Sequence, residues 1–253
     1  MYRRAYIKQP AGLGDIFYCL KIAQTIKAEE VIWPISDTYY DLIKKHIIID
    51  VRRNVKFVEL PPPEEVLALW NSEYNSPYYF CTSEDVNQVQ PQNNNLFLPL
   101  QHADRVYPDI PIMLSKYKLA NSSSDDWLKY FNFKRDHQKE NELFEHLGLS
   151  ENEEYALVSH NYGTPPNFLV KPVPYENKGI KEVKLDFIDG FNVFDWCKVL
   201  EQASEIHMLE TCFIYITEKL NLKAKELNLW SRRGPDKCEQ ISFIPKNVNW
   251  TYN

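Results

Sequence analysis

Apolar strand patterns and helical patterns alternate almost from the first residue, and that alternation limits the fold more than any other feature of the chain. Ala5–Gln9 reads as a short strand, and Asp15–Ala28 follows as a helix with Ile16, Leu20, Ala23 and Ile26 on one stripe. Val31–Ile35 is a second strand, and Asp37–His46 is a helix opened by a good capping residue. Val55–Leu60 is a third strand; Pro61-Pro62-Pro63 ends it and a helix over Glu64–Trp70 comes next. Strand, helix, strand, helix, strand with short connections is the signature of a parallel sheet with crossover helices.

The middle of the chain is less regular. Asn71–Asn95 is polar and loop-like, with Tyr78–Cys81 as a strand-like run, and Leu96–Leu114 carries turn-forming prolines without a helical period. The pattern turns helical again from Asp125 to Leu149. A second series then runs through strands at Tyr155–Ser159 and Val183–Ile188, a helix at Val193–Ala203, a strand at Glu205–Leu209, a helix at Thr211–Leu220 and a strand at Ala224–Leu229. A tail rich in Asn and Trp ends the chain. The expectation is two α/β lobes, residues 1–147 and 148–253.

Composition excludes several function classes. The formal charge is −6 and the basic residues form no long block, which argues against electrostatic capture of nucleic acid. No stretch approaches the ~20 apolar residues of a membrane span, and no apolar signal run follows Arg3-Arg4. The five cysteines are scattered and odd in number, without a CxxC pair, so a reduced cytoplasmic setting is expected and no zinc or other metal site is indicated. An aromatic share of 14% makes exposed rings in a ligand cleft a natural expectation. Nothing in the sequence fixes an oligomeric state.

Three strand-to-helix junctions concentrate the polar and glycine residues that could bind a ligand. The first is "QPAGLGDIFYCL", in which Gly12, Leu13 and Gly14 precede Asp15. Only seven glycines occur in 253 residues, and two fall in this triplet. A tight glycine turn before a helix presents backbone N–H groups and the positive end of the helix dipole. The position three beyond Gly14 is Phe17, so a dinucleotide fingerprint is incomplete, and no Lys-Ser/Thr makes a phosphate loop. By spacing alone, Asp15 as a helix-capping carboxylate is the stronger alternative to Asp15 as a reactive group.

The second junction, "EIHMLETCFIYITEKL", runs a strand into Glu210, Thr211 and Cys212. Thr211 can cap a helix or meet a phosphate, and Glu210 stands where a ribose hydroxyl could be bound. The third, "ALVSHNYGTPPN", ends its strand in His160, Asn161, Tyr162, Gly163 and Thr164. Polar side chains at a strand's carboxyl end are where open α/β sheets bind ligands. His160 is read as a contact rather than a catalyst. The cluster Gln101, His102, Ala103, Asp104 and Arg105 reads equally as a turn or as the wall of an acceptor site.

These residues resemble a known group. "QPAGLGDIFYCLKIAQ" is similar to the N-terminal Gly-x-Gly-Asp turn of GT-B glycosyltransferases of the heptosyltransferase-like kind. "IHMLETCFIYITEKL" is similar to their C-terminal strand, phosphate turn and helix. "LPLQHADRVYP" and "HNYGTPP" look like small glycosyltransferase-like proteins of large DNA viruses and phages. The sequence departs in having no Lys in the donor lobe's first loop and Cys212 where Ser or Gly is usual.

The resemblance implies two Rossmann-like lobes facing a central cleft, the first for a glycan acceptor and the second for a nucleotide-sugar, UDP- or GDP-linked. It implies inverting transfer that needs no metal, with Asp15 as base on the acceptor hydroxyl; were Asp15 only a cap, Asp104 or His102 would be next in line. Gly12, Leu13, Gly14, His102 and Arg105 would then line the acceptor side; His160–Thr164 and Glu210–Cys212 would hold the donor. An S-adenosylmethionine-dependent methyltransferase and a non-enzymatic glycan-binding module stand as the alternatives.

Overall fold

The computed structural model describes residues 1–60, 94–159, 173–231 and 243–253. The helix expected over Glu64–Trp70, the strand over Tyr78–Cys81 and the His160–Thr164 junction lie outside them. The chain divides into two compact units, Met1–Lys134 and Arg135–Asn253.

The first unit is built on a four-stranded, all-parallel sheet. Its strands are β1 (Tyr2–Ile7), β2 (Ala28–Ile35), β4 (Val55–Glu59) and β5 (Asn95–Leu98), in the order β4-β2-β1-β5. Helix α1 (Leu13–Thr25) joins β1 to β2, and α2 (Asp37–His46) follows β2. Every residue of α1 from Ile16 to Gln24 is buried, so this helix is covered all round rather than along one stripe. An aromatic cluster supplies part of that cover: Phe17 stacks on Phe131, and Tyr18 meets both Tyr117 and Trp127. Across the sheet, Tyr6 of β1 stacks on Phe97 of β5.

The stretch from Leu96 to Leu114, expected as loop around a short strand, has that strand in β5 and holds more structure beyond it than its prolines suggest. After β5 comes a tight 3-10 turn, Leu100–Arg105, and then helix α3 (Ile112–Leu119), with Pro111 at the N-cap. Proline there blocks no helical hydrogen bond, because the first N–H groups of a helix have no partner within it. Between Asp125 and Leu149 the sequence shows one helical pattern, but the chain first makes a 3-10 turn at Trp127–Lys129 and a strand β6 (Asn132–Phe133), antiparallel to β3 (Ile47–Ile48). Burial of Trp127 and Phe131 draws this segment onto α1. Helix α4 (His137–His146) begins only at Asp136, whose carboxylate caps the Lys139 N–H.

The second unit also carries an all-parallel sheet, β11-β10-β9-β7-β8, with β7 (Tyr155–Val158), β8 (Lys181–Lys184), β9 (Glu205–Leu209), β10 (Glu226–Trp230) and β11 (Thr251–Tyr252). Strand β8 lies earlier than the Val183–Ile188 expected from sequence. Helices α5 (Cys197–Gln202) and α6 (Phe213–Thr217) are shorter than expected. The tail contributes an edge strand: Thr251 and Tyr252 pair with Asn228 and Leu229.

The division falls at Lys134, earlier than the sequence suggests, for a physical reason. The Lys134 N–H donates to His46 O and ties the chain to the first unit. The adjacent residue, Arg135, spans two carboxylates of the second: its guanidinium bonds buried Glu140 of α4 at 2.8 Å and Glu201 of α5 at 2.8 and 2.9 Å. Helix α4 packs on α5 and so belongs to the second unit.

Candidate functional site

In each sheet the strand order reverses at one place. In the first, the chain leaves β1 for β2 and β4 on one side and returns as β5 on the other. Ligands of open α/β sheets bind at such a switch, outside the carboxyl ends of the strands. The switch between β1 and β5 collects the residues of the first junction and of the Pro-rich segment. Lys8 N–H donates to Leu98 O, and Gln101 N–H donates back to Lys8 O, so the end of β1 and the turn bearing His102 are laced together.

Gly12 occupies the N-cap of α1 with φ 80°, and its carbonyl accepts from Ile16 N–H at 2.9 Å. A Cβ built there would lie 2.7 Å from Asp15 Oδ2. Glycine is required twice over, by the left-handed backbone and by the carboxylate folded against it. Gly14 lies within the first turn of α1 and has no positive φ. Asp15 is therefore not the N-cap residue; it stands in the first turn, where its charge complements the dipole.

The partner of that carboxylate comes from α3. Lys116 Nζ donates to Asp15 Oδ1 at 2.5 Å and also to Gln9 Oε1. The lysine side chain is 1% exposed, whereas that of Asp15 is 34% exposed. Gln9 is held in turn, its Nε2 donating to Ala11 O at 2.7 Å and its backbone carbonyl accepting from Trp33 Nε1 at 2.9 Å. The result is a buried cation and a half-open carboxylate at the edge of the sheet. His102 is half-buried in the adjoining turn. Burial first, then the charges of Arg105, Lys8 and Lys116, against Asp104, push its pKa below the ordinary histidine value, so the ring is neutral at pH 7. Arg105 is exposed and Leu13 opens α1.

In the second sheet the switch lies between β7 and β9. Ser159 and Glu210 follow directly on the two strands that face it, with Ser231 after β10 beside them. Glu210 N–H donates to Trp230 O at 2.9 Å, and Ser231 Oγ reaches Glu210 Oε2 at 3.5 Å. Thr211 Oγ1 accepts from Phe213 N–H at 3.3 Å, just before Cys212, which occupies the N-cap of α6. Cys212 is a half-buried thiol at the same bend. The structure thus brings Glu210, Thr211 and Cys212 to one edge.

Two other features lie at the opposite, amino edge of this sheet. A cavity of about 440 Å³ there is lined by Glu153, Glu205, Glu226, Lys223 and Lys225 among others. Beside it, donor atoms of Glu205, His207 and Glu226 fall within 4.8 Å of one another. A cation already sits among them: Lys178 Nζ is 2.5 Å from Glu226 and 3.5 Å from Glu205. Asn253 Nδ2 donates to Asn228 Oδ1, which turns the Asn228 amide N–H toward His207 Nδ1. The Nε2–H of His207 then faces Glu205 at 3.0 Å, a satisfied pair rather than an open ligand set. This edge holds charges already matched to one another, and the half-open polar groups gather at the switch crevices.

Lys116, Lys8 and Gln9 carry no functional signal in the sequence. Lys116 lies just past the Pro-rich segment that ends at Leu114, and a lysine on a short, half-apolar stretch gives no sign of burial.

No protein-family model and no curated protein matches the sequence. Among solved structures, the chain is similar to the glycosyl transferase family 9 protein from Veillonella parvula DSM 2008, at 7% identity and a TM-score of 0.45, covering 91% of this chain and 80% of that one. It is also similar to E. coli heptosyltransferase WaaC with ADP-2-deoxy-2-fluoro heptose, at 12% identity and a TM-score of 0.39, covering 90% and 88%. The same enzyme with ADP gives 12% and 0.39, covering 90% and 87%. Likeness at this level carries no functional argument, and it lends no support to a viral or phage relationship.

Proposed function

We propose that the protein is a glycosyltransferase that moves a sugar from a nucleotide-sugar donor to a glycan hydroxyl, with inversion and without a metal ion. The single observation that carries the proposal is the Asp15 carboxylate, fixed at the switch crevice of the first sheet with one oxygen paired and the other facing Gly12. Among the described residues Oδ2 has no hydrogen-bond donor. In this reading the acceptor hydroxyl gives its proton to Asp15 as its oxygen attacks the anomeric carbon. The bond from that carbon to the diphosphate breaks, and the diphosphate leaves with the electron pair. The donor would be held at the edge of the second sheet, Glu210 toward a ribose hydroxyl and Thr211 and Cys212 toward the diphosphate. His160, Asn161, Tyr162, Gly163 and Thr164, which come after β7 in sequence, are proposed as further donor contacts.

The test is calorimetric titration with UDP, GDP, ADP and S-adenosylmethionine, with and without Mg²⁺, followed by turnover of Asp15→Asn on the nucleotide-sugar whose nucleotide binds. A general base contributes ~10²–10⁴-fold, so turnover should fall by that order with nucleotide affinity unchanged. Binding of S-adenosylmethionine alone would redirect the protein to methyl transfer. Undiminished turnover in Asp15→Asn would move the base elsewhere, with His102 and Asp104 the next to test.

A further inference from the structure

The buried ammonium beside Asp15 belongs to no motif. It comes from α3, 101 residues further along the chain, and it donates to Asp15 Oδ1 and Gln9 Oε1. A lysine with 1% of its side chain exposed must offset the cost of leaving water, whereas the carboxylate it meets is 34% exposed and still open to solvent. The asymmetry suggests that the lysine is placed for the carboxylate's geometry. Gln9 is itself 3% exposed and anchored at both ends of its amide, so the ammonium is held by a rigid acceptor on one side and donates to Asp15 Oδ1 on the other.

We infer that Lys116 is a positioning residue for the acceptor-side reaction: it pins Asp15 Oδ1 and so presents Oδ2, lying over the bare Cα of Gly12, as the oxygen that receives the acceptor's proton. The inference rests on the reading of Asp15 as the base. Lys116 keeps its own proton throughout and touches no reacting atom. The proton travels from the acceptor hydroxyl to Oδ2, and the lysine's charge faces the other oxygen. Gly12 and Lys116 then do one job from opposite sides. The glycine leaves room for Oδ2, and the lysine prevents the carboxylate from rotating out of it.

A double-mutant cycle in turnover tests this. Lys116→Met keeps the stem's volume and removes the charge, and Asp15→Asn removes the base. In the Asp15 background, Lys116→Met should lower kcat by roughly 10²-fold, the cost of a misplaced reacting group, with the donor KM unchanged. In the Asp15→Asn background the same change should leave the residual rate untouched, because the lysine has nothing left to place. A purely structural lysine would instead leave kcat per folded molecule unchanged, or lower it equally in both backgrounds; either result overturns the inference. Should Lys116→Met not fold, Gln9→Met removes the ammonium's other anchor, and its effect on kcat should likewise vanish in Asp15→Asn. Failure of the underlying reading is separate: it appears as undiminished turnover in Asp15→Asn alone.

Discussion

Gly12 shows how one residue can be determined by two independent constraints. Its φ of 80° is strained for any residue with a Cβ, and the space such a Cβ would fill is already taken by Asp15 Oδ2. Gly12→Ala should therefore cost about 1–2 kcal/mol from the left-handed backbone alone. It should also displace the carboxylate, which stability does not report. The expected result is a modest loss in melting temperature with a turnover loss approaching that of Asp15→Asn. Full turnover in a destabilised Gly12→Ala would show that the seat of Oδ2 is irrelevant to the reaction. Gly14, inside the first turn of α1, has no positive φ, so the backbone constraint that acts on Gly12 does not extend to it.

Between neighbouring elements, charged side chains tie one strand to the next. Glu30 on β2 lies opposite Arg4 on β1, with Arg4 Nε at 3.0 Å, and it also binds Lys56 of β4. The Lys56 hydrogen bond first, opposed by burial and helped by both cations' charges, holds the Glu30 carboxyl below its ordinary value. A folded-state pKa lower than the unfolded one means stability that is present above the unfolded value, near 4.5, and lost as pH falls through the folded value. Glu30→Gln should therefore be less stable than the parent at neutral pH, by about 1 kcal/mol at most for a partly exposed triad. The two curves should converge as the pH falls below the ordinary carboxylate range. Thermal melts of the pair from pH 7 to pH 3 check the sign; a constant gap would mean that Glu30 contributes through packing rather than charge.

Across the full chain, the two sheets divide the proposed labour: Asp15 and its neighbours belong to the first unit, Glu210–Cys212 to the second. Replacement at one edge should then leave the other's binding intact. Thr211→Trp should weaken a nucleoside diphosphate by more than about tenfold, or 1.4 kcal/mol, in the absence of Mg²⁺, while near-UV circular dichroism stays that of the parent. Asp15→Asn should bind the same nucleotide as the parent does. Binding that strictly requires a divalent ion would overturn the metal-free mechanism, and normal binding by Thr211→Trp would remove that edge from the donor site.

Local patterns in the chain were enough to establish the class of both sheets, and in places they set elements to the residue: α2 at Asp37–His46 and β9 at Glu205–Leu209 stand where the periodicity puts them. Hydrophobic period and capping are written in residues two to four apart, so they survive without knowledge of the rest of the chain. The glycine turn before Asp15 was legible for the same reason. What Asp15 faces, where the units part and what the tail does were settled by long-range packing alone. The Pro-rich approach to α3 hid a helix whose buried face includes Met113, Ser115, Lys116 and Tyr117. Arg135 belongs with Glu140 and Glu201 rather than with the strand just before it, and Thr251-Tyr252 becomes a strand only because β10 offers an open edge. A buried charge or an edge strand is selected by whichever group the strand order brings within about 3 Å, and that order is set by contacts between distant parts of the chain rather than by neighbours along it.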